Sequence, residues 1–262
     1  MFKFVNLYSG STGNSSLIIT DKTKVLVDAG ESAKKICEGL DSLGYNIEDI
    51  DAIVLTHEHV DHSKALPILS RKYDIPVYAN KETFNELENV MGKEIKNKKL
   101  YIPYKAFNID DLDILPFNVS HDAANPCGFN FFNSSQKITV ATDLGFVDQD
   151  VFDHMKNSSF ILLESNYDSN TLKDSRYPYY LKRRISSSKG HLSNDQTSDV
   201  IYNLINFGLK KIELAHLSKE NNFPELAYQT LLDKLIHEQV DLSDITVNVA
   251  SNYLERKIID IG

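Results

Sequence analysis

Six consecutive positions, His57-Glu58-His59-Val60-Asp61-His62, carry five ionisable side chains, a density with few purely structural uses. Buried Asp and His must lose charge or find partners, and divalent cations supply such partners directly. In extended backbone alternate side chains share a side, so His57 and His59 can meet one ion. Asp61 and His62 fall where Ser63-Lys64-Ala65-Leu66 begins a helical turn, which predicts that they swing away from the first pair toward a second ion. A solvated polar turn is the structural alternative.

The hydrophobic pattern indicates which elements must position this run. Residues 52–55 are apolar and too few for a helix, so a buried strand is expected to empty into the ionisable loop. Residues 2–8 alternate and residues 16–20 are apolar. Between them, Ser9-Gly10-Ser11-Thr12-Gly13-Asn14-Ser15 is either a hairpin turn or a polar rim with Asn14 or a serine toward substrate. A strand over 24–27 runs into Asp28-Ala29-Gly30, and a helix over 31–43 stops at Gly44. Further strands are expected over 77–79, 113–119, 127–132, 137–141, 160–164 and 211–215, and helices over 63–72, 81–90, 194–205 and 224–240. Residues 245–249 with 257–261 would close a sheet edge. Residues 92–99, with four lysines, read as a solvated loop or, alternatively, a phosphate contact. Alternating strands and helices point to an α/β sandwich.

At 262 residues the chain can bury roughly three quarters of its unfolded surface, so one domain over 1–262 is expected. Hydrophobic residues at 42% and charged residues at 25% are the balance of a soluble globular protein. No apolar run approaches the ~18 residues of a membrane span, and the start Met1-Phe2-Lys3-Phe4-Val5-Asn6 lacks a signal-peptide layout. Cys37, on an apolar helical stripe, and Cys127, beside a strand, offer no disulfide framework. A cytoplasmic protein without a membrane partner is expected. The formal charge of -9 argues against diffuse nucleic-acid binding, but screening over about 8 Å leaves room for a local basic patch.

The pattern His57-x-His59-x-Asp61-His62 after a hydrophobic strand resembles the signature of the metallo-β-lactamase fold superfamily of binuclear metallohydrolases. The resemblance implies an α/β fold, the αββα four-layer sandwich, and two divalent metal ions, with zinc and manganese both suited to the ligand types. It also implies ligands downstream in a set order. His121, after an apolar strand, matches the family's third histidine and would complete one ion's set with His57 and His59. Asp143 is the natural carboxylate to span both ions through its two oxygens. His216 matches the final ligand, joining Asp61, His62 and Asp143 on the second ion. Asp28 matches a strand-end aspartate beside the metal loop, expected to orient ligands; alone it could equally cap the following helix.

Three tyrosines and five basic residues lie within the fourteen positions 176–189 of an otherwise acidic chain. Rings interleaved with cations suit a single-strand nucleic-acid groove, with Arg183, Arg184 and Lys189 on phosphates. The alternative is an exposed amphipathic helix. Gly190-His191-Leu192-Ser193 is similar to the glycine-histidine loop of the superfamily's nucleases, which implies that His191 helps protonate the leaving oxygen. With Ser9-Gly10-Ser11-x-Gly13-Asn14 and His216-Leu217-Ser218-Lys219-Glu220-Asn221-Asn222, the chain looks most like the YycJ (WalJ) branch of the superfamily. That resemblance implies 5′-to-3′ DNA exonuclease activity, with Asn14 and Ser218 toward substrate. One departure from the superfamily's larger RNA nucleases is that no extra domain fits between Asp143 and His191, which weakens structured RNA as a substrate.

The implied chemistry is phosphodiester hydrolysis by a metal-bridging hydroxide, with Asp61 holding the hydroxide and its ion and His191 as proton donor. Nucleic acid, DNA first, is the expected partner; oligomeric state is open. The alternatives are a hydrolase of small cyclic or aryl phosphodiesters and a ribonuclease of the same superfamily. A β-lactam or thioester hydrolase fits less well, because Asp143 stands where a cysteine would bridge. A non-enzymatic scaffold would have to cluster seven ionisable groups without metal.

Overall fold

The computed structural model describes residues 1–92, 94–250 and 256–262; Lys93, from the four-lysine segment, lies outside them. Contacts divide the chain into two compact units, one of Met1–Asn118, Ala123–Gln136 and Asn252–Gly262, the other of Val119–Asp122 and Lys137–Ser251.

The first unit opens with β1 (Lys3–Tyr8), β2 (Ser15–Ile19) and β3 (Lys24–Val27), which pair antiparallel in that order. After α1 (Ala33–Asp41), β4 (Ala52–Val54) joins β3 in parallel. Two helices follow, α2 (Val60–Ser63) and α3 (Leu66–Lys72), then β5 (Val77–Ala79), α4 (Lys81–Met91) and β6 (Lys98–Leu100), which extend the sheet in parallel. An antiparallel meander of β7 (Phe107–Ile109), β8 (Leu112–Asn118) and β9 (Cys127–Asn133) completes the unit's contiguous part. Every residue of β2 and β4 is buried, the pattern of central strands covered on both faces.

In the second unit β10 (Gln136–Ala141), β11 (Phe160–Glu164), β12 (Lys211–Ala215) and β13 (Thr246–Val249) run parallel in that order. Their crossovers hold α5 (Gln149–Met155), α6 (Ser169–Asp174), α7 (Tyr179–Ile185), α8 (Asn194–Ile205) and α9 (Pro224–His237). Ser193 and Gln196 form a capping box that starts α8, and Pro224 starts α9, where its missing N–H costs no hydrogen bond. The chain ends in β14 (Ile259–Asp260), which pairs with β1.

Three expectations are corrected. Helix begins at Val60 rather than residue 63 and restarts at Leu66-Pro67, where proline favours a new first turn. Within the lysine-rich segment, Lys98–Leu100 is a strand, paired with β5. Strands β13 and β14 do not share an edge, since each pairs within its own unit. Among the described residues no helix is long and apolar enough to cross a membrane.

Candidate metal centre

In the first unit the ionisable loop leaves β4 and is locked to two neighbouring loops by backbone bonds: Asn14 N to Asp61 O at 2.8 Å, Ala29 N to His62 O at 2.8 Å, and Gly30 N to Asn14 O at 2.9 Å. Packing is close enough that a Cβ on Gly30 would lie 1.6 Å from Asp61 O, so only glycine fits. Ser63 Oγ closes the loop from inside, its one proton shared between Glu58 O at 2.9 Å and His59 O at 2.8 Å. Glu58 is itself buried, and its Oε1 accepts from Ala124 N at 2.8 Å.

Within that frame the early start of α2 keeps His62 beside His57, with ring centroids 4.2 Å apart; His57 and His59 are 4.6 Å apart. His62 thus stays beside His57 rather than swinging well clear of it. His62 Nδ1 donates to Asp28 Oδ2 at 2.7 Å, and Asp28 Oδ1 accepts from Thr56 N at 2.8 Å. Burial raises the Asp28 pKa, and the contacts with His62 and Thr56 oppose that rise. Thr56 Oγ1 gives its proton to Asp28 and lies 3.0 Å from His57 Nδ1. Asn14 is buried, with Oδ1 accepting from Gly10 N at 2.9 Å and Nδ2 3.0 Å from His62 Nε2.

In the second unit the candidates stand at the carboxyl ends of parallel strands, where α/β sheets gather ligand sites. Asp143 follows β10, Glu164 ends β11, and His216 follows β12. Asp143 Oδ1 lies 3.5 Å from His216 Nε2, 3.6 Å from His121 Nε2 and 3.9 Å from His191 Nδ1. Ligand atoms of Asp143, Glu164, His191 and His216 all lie within 4.8 Å of one another. Glu164 is fully buried: Oε1 accepts from His191 Nδ1 at 2.6 Å and His216 Nδ1 at 3.1 Å, and Oε2 from Leu144 N at 3.0 Å. Burial would lower the His191 pKa, but the Glu164 carboxylate outweighs it and holds the imidazole above its ordinary value. Burial dominates at His121, which is held below its ordinary value.

These residues fit a divalent ion in two respects. Four imidazoles have Nδ1 anchored, His57 on Thr56 Oγ1, His62 on Asp28, His121 on Gly190 O and His216 on Glu164, the kind of partner that fixes ring orientation in metal-ligating histidines. Ligand atoms each about 2.0–2.2 Å from one ion at tetrahedral angles stand about 3.3–3.6 Å apart. The 3.5 Å and 3.6 Å separations around Asp143 Oδ1 match that spacing.

Asp28, Asp143 and His216 share a further property: all three take left-handed backbone, with φ of 63°, 58° and 56°. Such conformations in non-glycine residues cluster at functional sites.

The expected substrate residues are placed as follows. Arg183 and Lys189 are exposed. Arg184 Nε donates to Asp122 Oδ2 at 2.6 Å, and Asp122 Oδ1 lies 3.3 Å from His121 Nε2. Ser218 Oγ accepts from Asn221 N at 3.3 Å. Sequence reasoning missed Glu58, Thr56, Asp122 and Glu164. Glu58, inside the ionisable run, Asp122, next to His121, and Glu164, an acid closing an apolar strand, carried signals that could have found them.

Compared with known proteins, residues 8–147 match the family model described as Metallo-beta-lactamase superfamily. The chain is 40% identical over 244 residues to exodeoxyribonuclease WalJ of Streptococcus pneumoniae, covering 92% of this chain and 90% of that one. It is 41% identical over 227 residues to exodeoxyribonuclease YycJ of Bacillus anthracis, covering 86% and 85%. Among solved structures, the metallo-beta-lactamase fold protein YhfI of Bacillus subtilis superposes with a TM-score of 0.74 at 14% identity, covering 98% of this chain and 99% of that one, a likeness of fold alone. The chain belongs to the metallo-β-lactamase superfamily and has its α/β fold.

Proposed function

We propose that this protein is a metal-dependent phosphodiesterase that shortens DNA from the 5′ end, with residues 1–262 acting as one cytoplasmic catalytic domain. The observation that carries the reading is the cluster of buried Asp143, Glu164 and His216 with half-buried His191. The relatives named exodeoxyribonuclease support DNA as the substrate. Cytoplasmic location rests on the sparing use of cysteine.

In this reading His57, His59 and His121 would hold one divalent ion, zinc or manganese, and Asp61, His62 and His216 would hold a second, with Asp143 as the carboxylate available to each. Bound ions of this kind lower the pKa of water to near neutrality and neutralise charge on a phosphoryl group. The remaining work belongs to the chain. Asp61 positions the attacking water. Asp28 and Thr56 fix the tautomers of His62 and His57, the contribution of outer-shell partners in metal sites. His191, oriented through Nδ1 by Glu164, presents Nε2 and donates a proton to the departing sugar oxygen. Arg183, Lys189 and the Arg184 nitrogens not used by Asp122 hold flanking phosphates, while Asn14 and Ser218 line the approach of substrate.

The test is incubation of zinc- or manganese-loaded protein with 5′-phosphorylated, 3′-labelled single-stranded DNA, beside an Asp61→Ala variant and a chromogenic phosphodiester. Stepwise shortening from the 5′ end that is absent in the variant is the expected result. Cleavage of the chromogenic diester alone would retain the metal chemistry and remove DNA as the substrate.

A further inference from the structure

The basic, tyrosine-rich stretch that follows β11 does not form a flat surface. Helices α6 and α7 flank an open cavity of about 500 Å³, within the range of small-ligand sites. Buried Tyr167 and Leu172 give it an apolar floor, while Tyr177 and Tyr179 stand around it with Lys182 and Arg183. Tyr179 is 76% exposed, a large ring left in solvent with no structural demand on it. The Arg183 guanidinium lies 6.0 Å from its ring centroid. Lys182 Nζ donates to Lys173 O at 2.6 Å and Ser175 O at 2.7 Å, which ties α7 to the end of α6 and fixes one ammonium beside the cavity.

The same helix is tied to His191. His191 N donates to Ile185 O at 2.8 Å, so the residue that ends α7 touches the backbone of the proposed proton donor. Gly190 permits this return: a Cβ there would lie 2.1 Å from Ile185 O. The cavity and the His191 backbone are therefore parts of one local framework.

We infer that this cavity seats one nucleotide of single-stranded DNA, its base against Tyr177 and Tyr179 and its phosphate at Lys182 and Arg183. The inference rests on the DNA-exonuclease reading and adds a discrete base site to it. Apolar floor, aromatic walls and cationic rim match the three parts of a nucleotide, and base–aromatic stacking is tolerant of sequence, as an exonuclease requires.

The test is binding of 3′-fluorescent, 5′-phosphorylated oligonucleotides to metal-loaded Asp61→Ala protein, carried out with an abasic site placed at each position in turn. One position is expected at which losing the base weakens binding about five- to 150-fold, the range for a stacked base. Adding Tyr179→Ala should abolish that penalty at the same position, and Tyr177→Ala should do likewise. Unchanged melting temperatures would establish that the variants fold. A penalty that persists undiminished in both tyrosine variants overturns the site. DNA shortening by wild-type protein with no abasic effect would remove the cavity and leave the exonuclease reading standing. Base-dependent binding without DNA cleavage would do the reverse, and absence of DNA binding would remove both.

Discussion

Glu164 Oε1 accepts from His191 Nδ1 at 2.6 Å, while the other oxygen of the same carboxylate receives the backbone N–H of Leu144 and, at 3.3 Å, of Leu192. A fully buried carboxylate held on both oxygens has little freedom to move, so the imidazole it orients has little either.

Glu164→Gln is therefore expected to lower kcat on DNA by about a hundredfold while KM changes little, because general acid catalysis contributes typically about 10²–10⁴-fold. The alkaline limb of the pH–kcat profile should move to lower pH, since the amide no longer holds the His191 proton. Steady-state kinetics across pH 6–9 checks both; an unmoved limb would reduce Glu164 to a packing role.

Gly30→Ala places a methyl group 1.6 Å from Asp61 O in a loop joined by three backbone bonds. Overpacking of this kind costs about 1–3 kcal/mol. A melting temperature lower by several degrees is expected, together with reduced metal content by elemental analysis, because the displaced carbonyl belongs to a candidate ligand. Gly44→Ala, where no atom lies within 4 Å of the new Cβ but φ is +79°, costs stability through backbone strain without crowding and should leave metal content unaltered.

Lys137 is buried, with Nζ donating to His154 O at 2.6 Å and Lys156 O at 2.5 Å, and burial pushes its ammonium down to about 8. Its unfolded value is near 10.5, so between pH 8 and 10.5 the unfolded chain holds a proton that the folded chain has lost. Folding stability should therefore rise with pH across that window, by about 1–2 kcal/mol once solvent screening is allowed for. Below pH 8 both states are protonated and the cost of burying the charge is fully present. Denaturant melts at pH 7.5 and 9.5 check this: wild type should gain stability relative to Lys137→Met, and parallel behaviour would refute the assignment.

Strands were legible in the sequence where apolar residues dominated a short run, as at Lys24–Val27, Phe160–Glu164 and Lys211–Ala215, because a strand buried on both faces asks for apolar residues at nearly every position. The His57 to His62 loop was legible because its residue types are costly to bury together. The partnerships were not. Glu164 meets His191 across 27 residues and Arg184 meets Asp122 across 62, distances over which no local spacing carries a signal. The start of α2 was misjudged for a related reason: His59 caps it without a side-chain hydrogen bond, so the usual capping signature is missing.

The left-handed backbone at Asp28, Asp143 and His216 bears on how this protein can change. At each position glycine would hold the same dihedral angles at lower conformational cost than the residue present. Under selection for heat resistance alone, that backbone relief would stand against the hydrogen bonds these buried side chains make, and any drift to glycine would remove a side chain from the candidate centre. The presence of Asp, Asp and His there makes the chain a useful reporter: these positions should vary more in a library screened only for stability than in one screened for turnover.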